Sequence, residues 1–240
     1  MRLARLVTTA VTAGLLGLPV VALSAAPAEA ASPFQTRITM TRTPAVQLYN
    51  SDIKISADLE GYNNESEPAE WIPIGDGEIL NLERKLAGKL TWVKIAQAAE
   101  DETGHVSFTT RAVANASYRV SYAGGDFEGD PTTQFQPSVS AAQAVKVARA
   151  LPASKQRLQG VNFRYFGKVL PRYAKKPVIL QKKLGGAWKT IDRVTTNRRG
   201  QWSFVVAGLK RQGVVRYRAF TPATKQFIKS YAPTFTITTY

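Results

Sequence analysis

Gln181 to Phe204 reads QKKLGGAWKTIDRVTTNRRGQWSF, and Glu83 to Phe108 reads ERKLAGKLTWVKIAQAAEDETGHVSF. Both stretches run through a basic pair, small residues, a Trp, an Ile, a polar turn ending in Gly and an aromatic strand. Trp92 and Trp188, Ile95 and Ile191, Gly104 and Gly200, and Phe108 and Phe204 align at one constant offset of 96 residues. Tyr118-Arg119 and Tyr217-Arg218 follow at a slightly longer offset of 99, so the loop before them has grown in the second copy. The chain therefore contains one unit twice.

Outward from these copies, the pattern is that of short strands. Ile38 and Met40 alternate with Thr39 and Thr41, and a second strand is predicted at Ile53 to Leu59, after which Gly61-Tyr62-Asn63-Asn64 opens an acidic loop with Glu65, Glu67, Glu70, Asp76 and Glu78. Tyr118, Val120 and Tyr122 share one strand face, and Ala144 to Val147 closes the first unit. In the second unit Leu158 to Val169 gives a strand pair around Phe163, Tyr165 and Phe166. Pro171 to Pro177 is a basic loop, Val178 to Leu180 enters the repeated stretch, and Phe235, Ile237 and Thr239 form a last strand. No helical period persists over the ~11 residues of an average helix. The spacing predicts an all-β protein of two tandem antiparallel sandwiches, at 32–149 and 150–240.

Residues 1–30 read as a leader: Arg2 and Arg5, an apolar run at Val7 to Ser24, and small residues at Ala28-Glu29-Ala30. No other apolar run approaches the ~20 residues that span a bilayer, so the expectation is a secreted protein without a membrane span in its mature chain. The chain has no Cys and one His. That excludes disulfides, thiol nucleophiles, thiolate metal sites and a zinc-type His cluster. No nucleophile elbow, phosphate loop, dinucleotide fingerprint or calcium loop is present, so no catalytic residue, cofactor or metal is expected. His105 sits beside a turn with no partner nominated by the sequence.

The repeated pattern V-x-L-Q-K-K, G-x-W-K-T-I, T-x-N-x-x-G-x-W-S-F and Y-R-A-F-x-P-A-T, at Val178 to Thr224, resembles the bacterial immunoglobulin-like repeat domains of exported actinobacterial proteins. L-E-R-K, T-W-V-K-I, D-E-T-G-H-V-S-F-T-T and S-Y-R-V-S-Y-A-G-G resemble the same family in the first copy. The resemblance implies immunoglobulin-like sandwiches serving as spacers, adhesive modules or envelope-binding modules, and it implies no catalytic residue.

Charge separates the copies. Ser32 to Arg149 holds 11 Lys and Arg against 15 Asp and Glu, whereas Ala150 to Tyr240 holds 19 against the single acid Asp192. Such asymmetry destabilises the compact state by self-repulsion and points to an anionic partner. Arg216 and Arg218 are expected to face outward, Arg198 and Arg199 to crown a turn, and Lys182 and Lys183 to lie near another. Together they would bind an anionic envelope polymer or acidic glycan, with affinity falling as salt rises. An acidic and a basic domain of this kind also suit self-association. Nucleic acid lacks a supporting motif. The alternatives are a plain spacer and an accessory glycan-binding sandwich using exposed aromatics, with Trp71, Tyr165 and Tyr173 as its candidates. Trp92, Trp188 and Trp202 are expected to pack.

Overall fold

The computed structural model describes residues 34–41, 45–63, 68–75, 77–127 and 130–240. The expected leader and Glu65, Glu67 and Asp76 lie outside them. Among the described residues every regular element is a strand, and none is a helix long and apolar enough to cross a membrane.

In the first half, β1 (Thr36–Met40), β3 (Asp52–Asn63), β4 (Glu70–Pro73) and β7 (His105–Arg111) make one antiparallel sheet around β3. The opposing sheet has the order β2 (Val46–Leu48), β12 (Gln143–Ala148), β8 (Ala116–Tyr122), β5 (Ile79–Leu86), β6 (Val93–Ala99). Between β8 and β12 the chain forms a hairpin of β9 (Gly125–Phe127) with β10 (Asp130–Phe135) and a short β11 (Ser138–Val139) on β8. The opening segment is thus split: β1 joins the first sheet, and β2 crosses to run parallel to β12.

The second half repeats this plan. β13 (Ala153–Arg157), β14 (Asn162–Lys168) and β17 (Gln201–Ala207) form one sheet, and β16 (Ala187–Thr195), β15 (Pro177–Leu184), β18 (Gly213–Thr221) and β20 (Phe235–Thr239) the other, with β19 (Ser230–Tyr231) also on β18. The protein is all-β, two antiparallel immunoglobulin-like sandwiches. Tyr217 adds a corner typical of that architecture, since its hydroxyl donates to the Ala207 carbonyl at 2.7 Å and ties β18 back to the end of β17.

Alternation builds both cores. Along β8 every second side chain, Ala116, Tyr118, Val120 and Tyr122, is buried; along β17 Trp202, Phe204 and Val206 are. Each fully buried large apolar side chain contributes about 1.5–3 kcal/mol. β3 runs four residues past its predicted end, through the turn-like Gly61-Tyr62-Asn63, because β4 supplies a ladder partner from Glu60↔Pro73 to Asn63↔Glu70. A short local sequence cannot show that partner.

The two cores meet at Arg149. Phe227, from the second half, is buried in the first core, while Tyr173 belongs to the second. The Arg149 guanidinium lies 4.2 Å from the Phe227 ring and 4.6 Å from the Tyr173 ring. It is 5% exposed, and its Nη1 has no hydrogen-bond partner. Burial pushes its pKa down from the ordinary guanidinium value, with the Tyr173 hydroxyl partly opposing. Around it, the Ile228 amide donates to the Val147 carbonyl, the Arg149 amide to Ser230 Oγ, and Asn115 bonds the backbone of Lys225 and Gln226. These interactions join the end of the first sandwich to the loop before β19 of the second.

Arg149→Ala opens a gap between two aromatic rings and is expected to cost about 2–4 kcal/mol in urea unfolding. Arg149→Met refills that volume and removes a buried, carboxylate-free charge, so its stability is expected within about 1 kcal/mol of the parent. Equal destabilisation by both would show that the charge, not the packing, holds the joint. Separately, burial raises the Tyr165 pKa to about 12 and also raises Tyr118, Tyr173 and Tyr217. These phenols contribute full stability below their unfolded pKa of about 10 and lose it as pH rises through the folded values. Phenolate absorbance followed against pH is expected to show a cooperative step above pH ~10, together with loss of circular dichroism.

Candidate functional site

The turn before β17 presents Arg198 and Arg199, and it is built like the turn before β7. Asp101 Oδ1 accepts from the amides of Thr103 and His105 at 2.9 and 3.1 Å; Asn197 Oδ1 accepts from those of Arg199 and Gln201 at 2.9 and 3.0 Å. Gly104 and Gly200 close them at φ 73° and 79°, a region that side chains with a Cβ avoid. The Thr103 hydroxyl, then the amides of Thr103 and His105, hold Asp101 below the usual carboxylate pKa. One backbone thus displays Glu102 in the first copy and Arg198 in the second.

Arg198 and Arg199 line a hollow of about 370 Å³ with Lys168, Leu170 and Arg172. Lys168 closes β14, and Arg172 stands on the following loop with its Nε donating to the Arg198 carbonyl at 3.0 Å. That bond ties the guanidinium to the turn and leaves its Nη groups for a ligand. No carboxylate lines the hollow. Asp192 accepts from the Arg193 amide instead, and the ion pairs among the described residues all lie between Arg37 and Arg119. Leu170 pairs with Ala150, so the hollow borders the junction at Arg149.

The other sequence-predicted cations lie elsewhere. Arg216 is exposed and Arg218 half-buried on the outer face of β18, while Val215, Tyr217 and Ala219 are buried, as the alternation predicts. Lys183 registers with Trp188, but Lys182 registers with the buried Tyr217 and sends its Nζ 5.8 Å from that ring, on the opposite side of the sheet. The six residues therefore do not form one patch: Arg198 and Arg199 join Lys168 and Arg172, Lys183, Arg216 and Arg218 share the outer sheet face, and Lys182 belongs to neither. Lys168 and Arg172 are legible in the sequence only as members of a basic loop region, since their approach to Arg198 depends on β14 pairing with β17.

The aromatics also depart from expectation. Trp202 is buried in the core, but Trp92 and Trp188 are half-buried beneath cations. Arg119 stands 4.4 Å over the Trp92 ring and Arg218 4.3 Å over that of Trp188. Arg218 also lies 4.4 Å from the Tyr231 ring, and Lys229 4.2 Å from that of Phe220. Tyr165 and Tyr173 are buried, and Trp71 is covered by Arg37 at 4.4 Å and by Tyr62. Trp71, Tyr165 and Tyr173 therefore do not form the expected exposed row; on the outer face of the second half's larger sheet, half-buried Trp188 and exposed Tyr231 instead flank Arg218, with Phe220 buried beside Tyr231.

His105 has partners the sequence does not nominate. Its Nδ1 lies 2.7 Å from Asp58 Oδ1 and its Nε2 3.2 Å from Ser107 Oγ, a chain across β3 and β7. A hydrolase needs that chain beside a cavity with donors for an oxyanion. Here the side chains stand on the solvent face of a sheet, and Ser107 Oγ shares a hydrogen bond with Ser56 Oγ at 3.0 Å. Among the described residues no group of three or more His, Asp or Glu has metal-binding geometry.

No family model matches the sequence, and no curated protein matches it. Solved structures do. The chicken interferon gamma receptor alpha chain is similar at 9% identity over 83% of this chain and 97% of its own, with a TM-score of 0.43. The human OSCAR ligand-binding domain is similar at 14% identity over 86% of this chain and 100% of its own, with a TM-score of 0.26. A tetra-tandem repeat from the extending region of a large adhesion protein is similar at 11% identity over 85% of this chain and 49% of its own, with a TM-score of 0.32.

The glycines at the two turns separate by what surrounds them. A Cβ on Gly104 would stand 2.6 Å from the Leu59 carbonyl oxygen, and one on Gly200 3.2 Å from that of Val169. Left-handed backbone alone costs roughly 1–2 kcal/mol for a residue with a Cβ. Gly200→Ala is expected to lose about that much in chemical denaturation, and Gly104→Ala distinctly more because backbone must also move.

Proposed function

We propose that this is an exported, non-enzymatic binding protein whose second sandwich associates with cell-envelope or extracellular polyanions. The first sandwich serves as spacer. The observation that carries the reading is the hollow of Lys168, Arg172, Arg198 and Arg199, four cations with no carboxylate in its lining, in a half that holds one acid against 19 Lys and Arg. Unpaired like charges held together on fixed backbone raise the energy of the empty site, and a bound anion relieves that repulsion. Arginine's planar fork suits phosphate and carboxylate oxygens in pairs. The leader-like residues 1–30 and the sequence resemblance to exported immunoglobulin-like repeats support the location.

The test is a full-chain column experiment on immobilised heparin and on immobilised polyphosphate, eluted with rising NaCl. The parent protein is expected to bind at low salt, and Lys168→Gln/Arg198→Gln/Arg199→Gln to elute earlier. The slope of log affinity against log salt should shrink by roughly 0.7–0.9 for each anionic group that the variant no longer neutralises. Circular dichroism checks that the triple variant is folded. A parent that appears in the low-salt wash of both columns, or a folded variant that elutes with it, would sink the proposal.

A further inference from the structure

Both copies carry a Trp–Arg stack, and the residue that holds the arginine differs between them. In the first, Arg119 stands over Trp92 while its Nε donates to Glu83 Oε2 at 2.5 Å. Glu83 and Arg119 are register partners across β5 and β8. In the second, Arg218 stands over Trp188, and its Nε donates to Gln181 Oε1 at 2.8 Å. Gln181 and Arg218 are register partners across β15 and β18. The amide occupies the carboxylate's place. It accepts the same N–H and holds the guanidinium in the same orientation, but it does not cancel the charge.

We propose that the outer face of this sheet, at Trp188, Arg218 and Tyr231, is a subsite for the sugar unit of an anionic glycan, its arginine held by Gln181 without being neutralised. This rests on the polyanion reading above and names the ligand class. Arg218 makes no hydrogen bond besides that to Gln181 among the described residues, so its Nη groups are available to a sulfate, phosphate or carboxylate on the sugar. Tyr231, 43% exposed, and Trp188 both pack against the guanidinium, so the margins of their rings border the anion site and can meet the C–H groups of a sugar. Lys229, over Phe220 and 5.3 Å from the Tyr231 ring, extends the row toward a neighbouring anionic group. Lys183, in register with Trp188, extends it the other way. Asp192 is in register with Leu180, a buried core residue, and so leaves from the other side of the sheet.

A glycan fits better than a single-stranded nucleic acid. Base stacking needs an open aromatic face, and Arg218 stands over the faces of both Trp188 and Tyr231. A sugar with pendant anions needs only the ring margins and the guanidinium itself. In the first copy Lys85 also lies 4.8 Å from the Trp92 ring, yet Glu83 neutralises Arg119 and the same scaffold is left without a free guanidinium charge.

Equilibrium binding of the full chain to a heparin-derived octasaccharide, to polyphosphate of matched charge and to oligothymidylate tests the subsite. Gln181→Glu, which copies the first repeat, is expected to weaken octasaccharide binding about tenfold. Gln212→Glu, on the exposed loop before β18, changes net charge equally and is expected to weaken it less than about twofold. Polyphosphate, held at the Lys168 hollow, is expected to respond alike to both. Glu83→Gln, which copies the second repeat into the first, is expected to tighten octasaccharide binding. Equal effects of Gln181→Glu and Gln212→Glu on the octasaccharide would overturn the subsite while leaving the polyanion reading standing, and so would tighter binding of oligothymidylate than of octasaccharide. If the parent chain binds neither octasaccharide nor polyphosphate, the polyanion reading itself falls, and the subsite with it.

Discussion

At the junction of the two sandwiches stands a buried cation with no carboxylate partner among the described residues. Arg149 is the last residue before the second repeat, and it is buried between Tyr173 of one core and Phe227 of the other. A guanidinium does not shed its proton in a protein, so the charge stays and its desolvation must be offset locally. Two aromatic faces do this in place of a carboxylate, at about 2 kcal/mol each when desolvated. The same packing draws the loop carrying Phe227 and Ile228 onto the first sandwich, where Ile228 lies beside Ala148 as an added rung of its sheet. The joint is therefore continuous with both hydrogen-bond networks, and Leu170, on the wall of the cationic hollow, is paired to Ala150 within it.

How much of this is legible in the sequence depends on the range of the interactions involved. The repeated turns are readable because Asp101 to Gly104 and Asn197 to Gly200 satisfy their own hydrogen bonds within five residues. The alternation of β8, β17 and β20 is readable because burial on one sheet face has period two. By contrast, the far end of β3 looks like a loop until β4 pairs with it, and β2 is too short to stand out until β12 runs parallel to it. The hollow needs Lys168 and Arg172 brought to Arg198 by the pairing of β14 with β17.

The tryptophans depart from expectation for a different reason, because equivalence of position does not require burial in the core. Trp92 and Trp188 are equivalent, but what they share is an outer-face partner, Arg119 or Arg218, supplied by a strand of the same sheet. An aromatic ring capped by a guanidinium loses water from one face without entering the core. A repeat preserves that pairing as readily as it preserves a core packing position. Lys182 departs in the opposite direction: it reads as one of a surface pair with Lys183, yet adjacent strand residues point to opposite faces, and Tyr217 claims its side.

What allows one scaffold to carry opposite charge is that the charged positions bear almost none of the packing. Glu102 and Arg198 sit at the tips of turns whose geometry is set by Asp101, Asn197 and the glycines, so either sign is compatible with the same backbone. The outer-face position held by Glu83 in one copy and Gln181 in the other is more constrained. Its side chain must accept the Nε–H of the stacked arginine, or the guanidinium loses its orientation over the ring. Glu and Gln both meet that demand with nearly the same shape, and they differ only in whether the arginine is neutralised. A single atom of difference at that position, oxygen against nitrogen, separates an arginine paired with a carboxylate from one held over its tryptophan by a neutral amide.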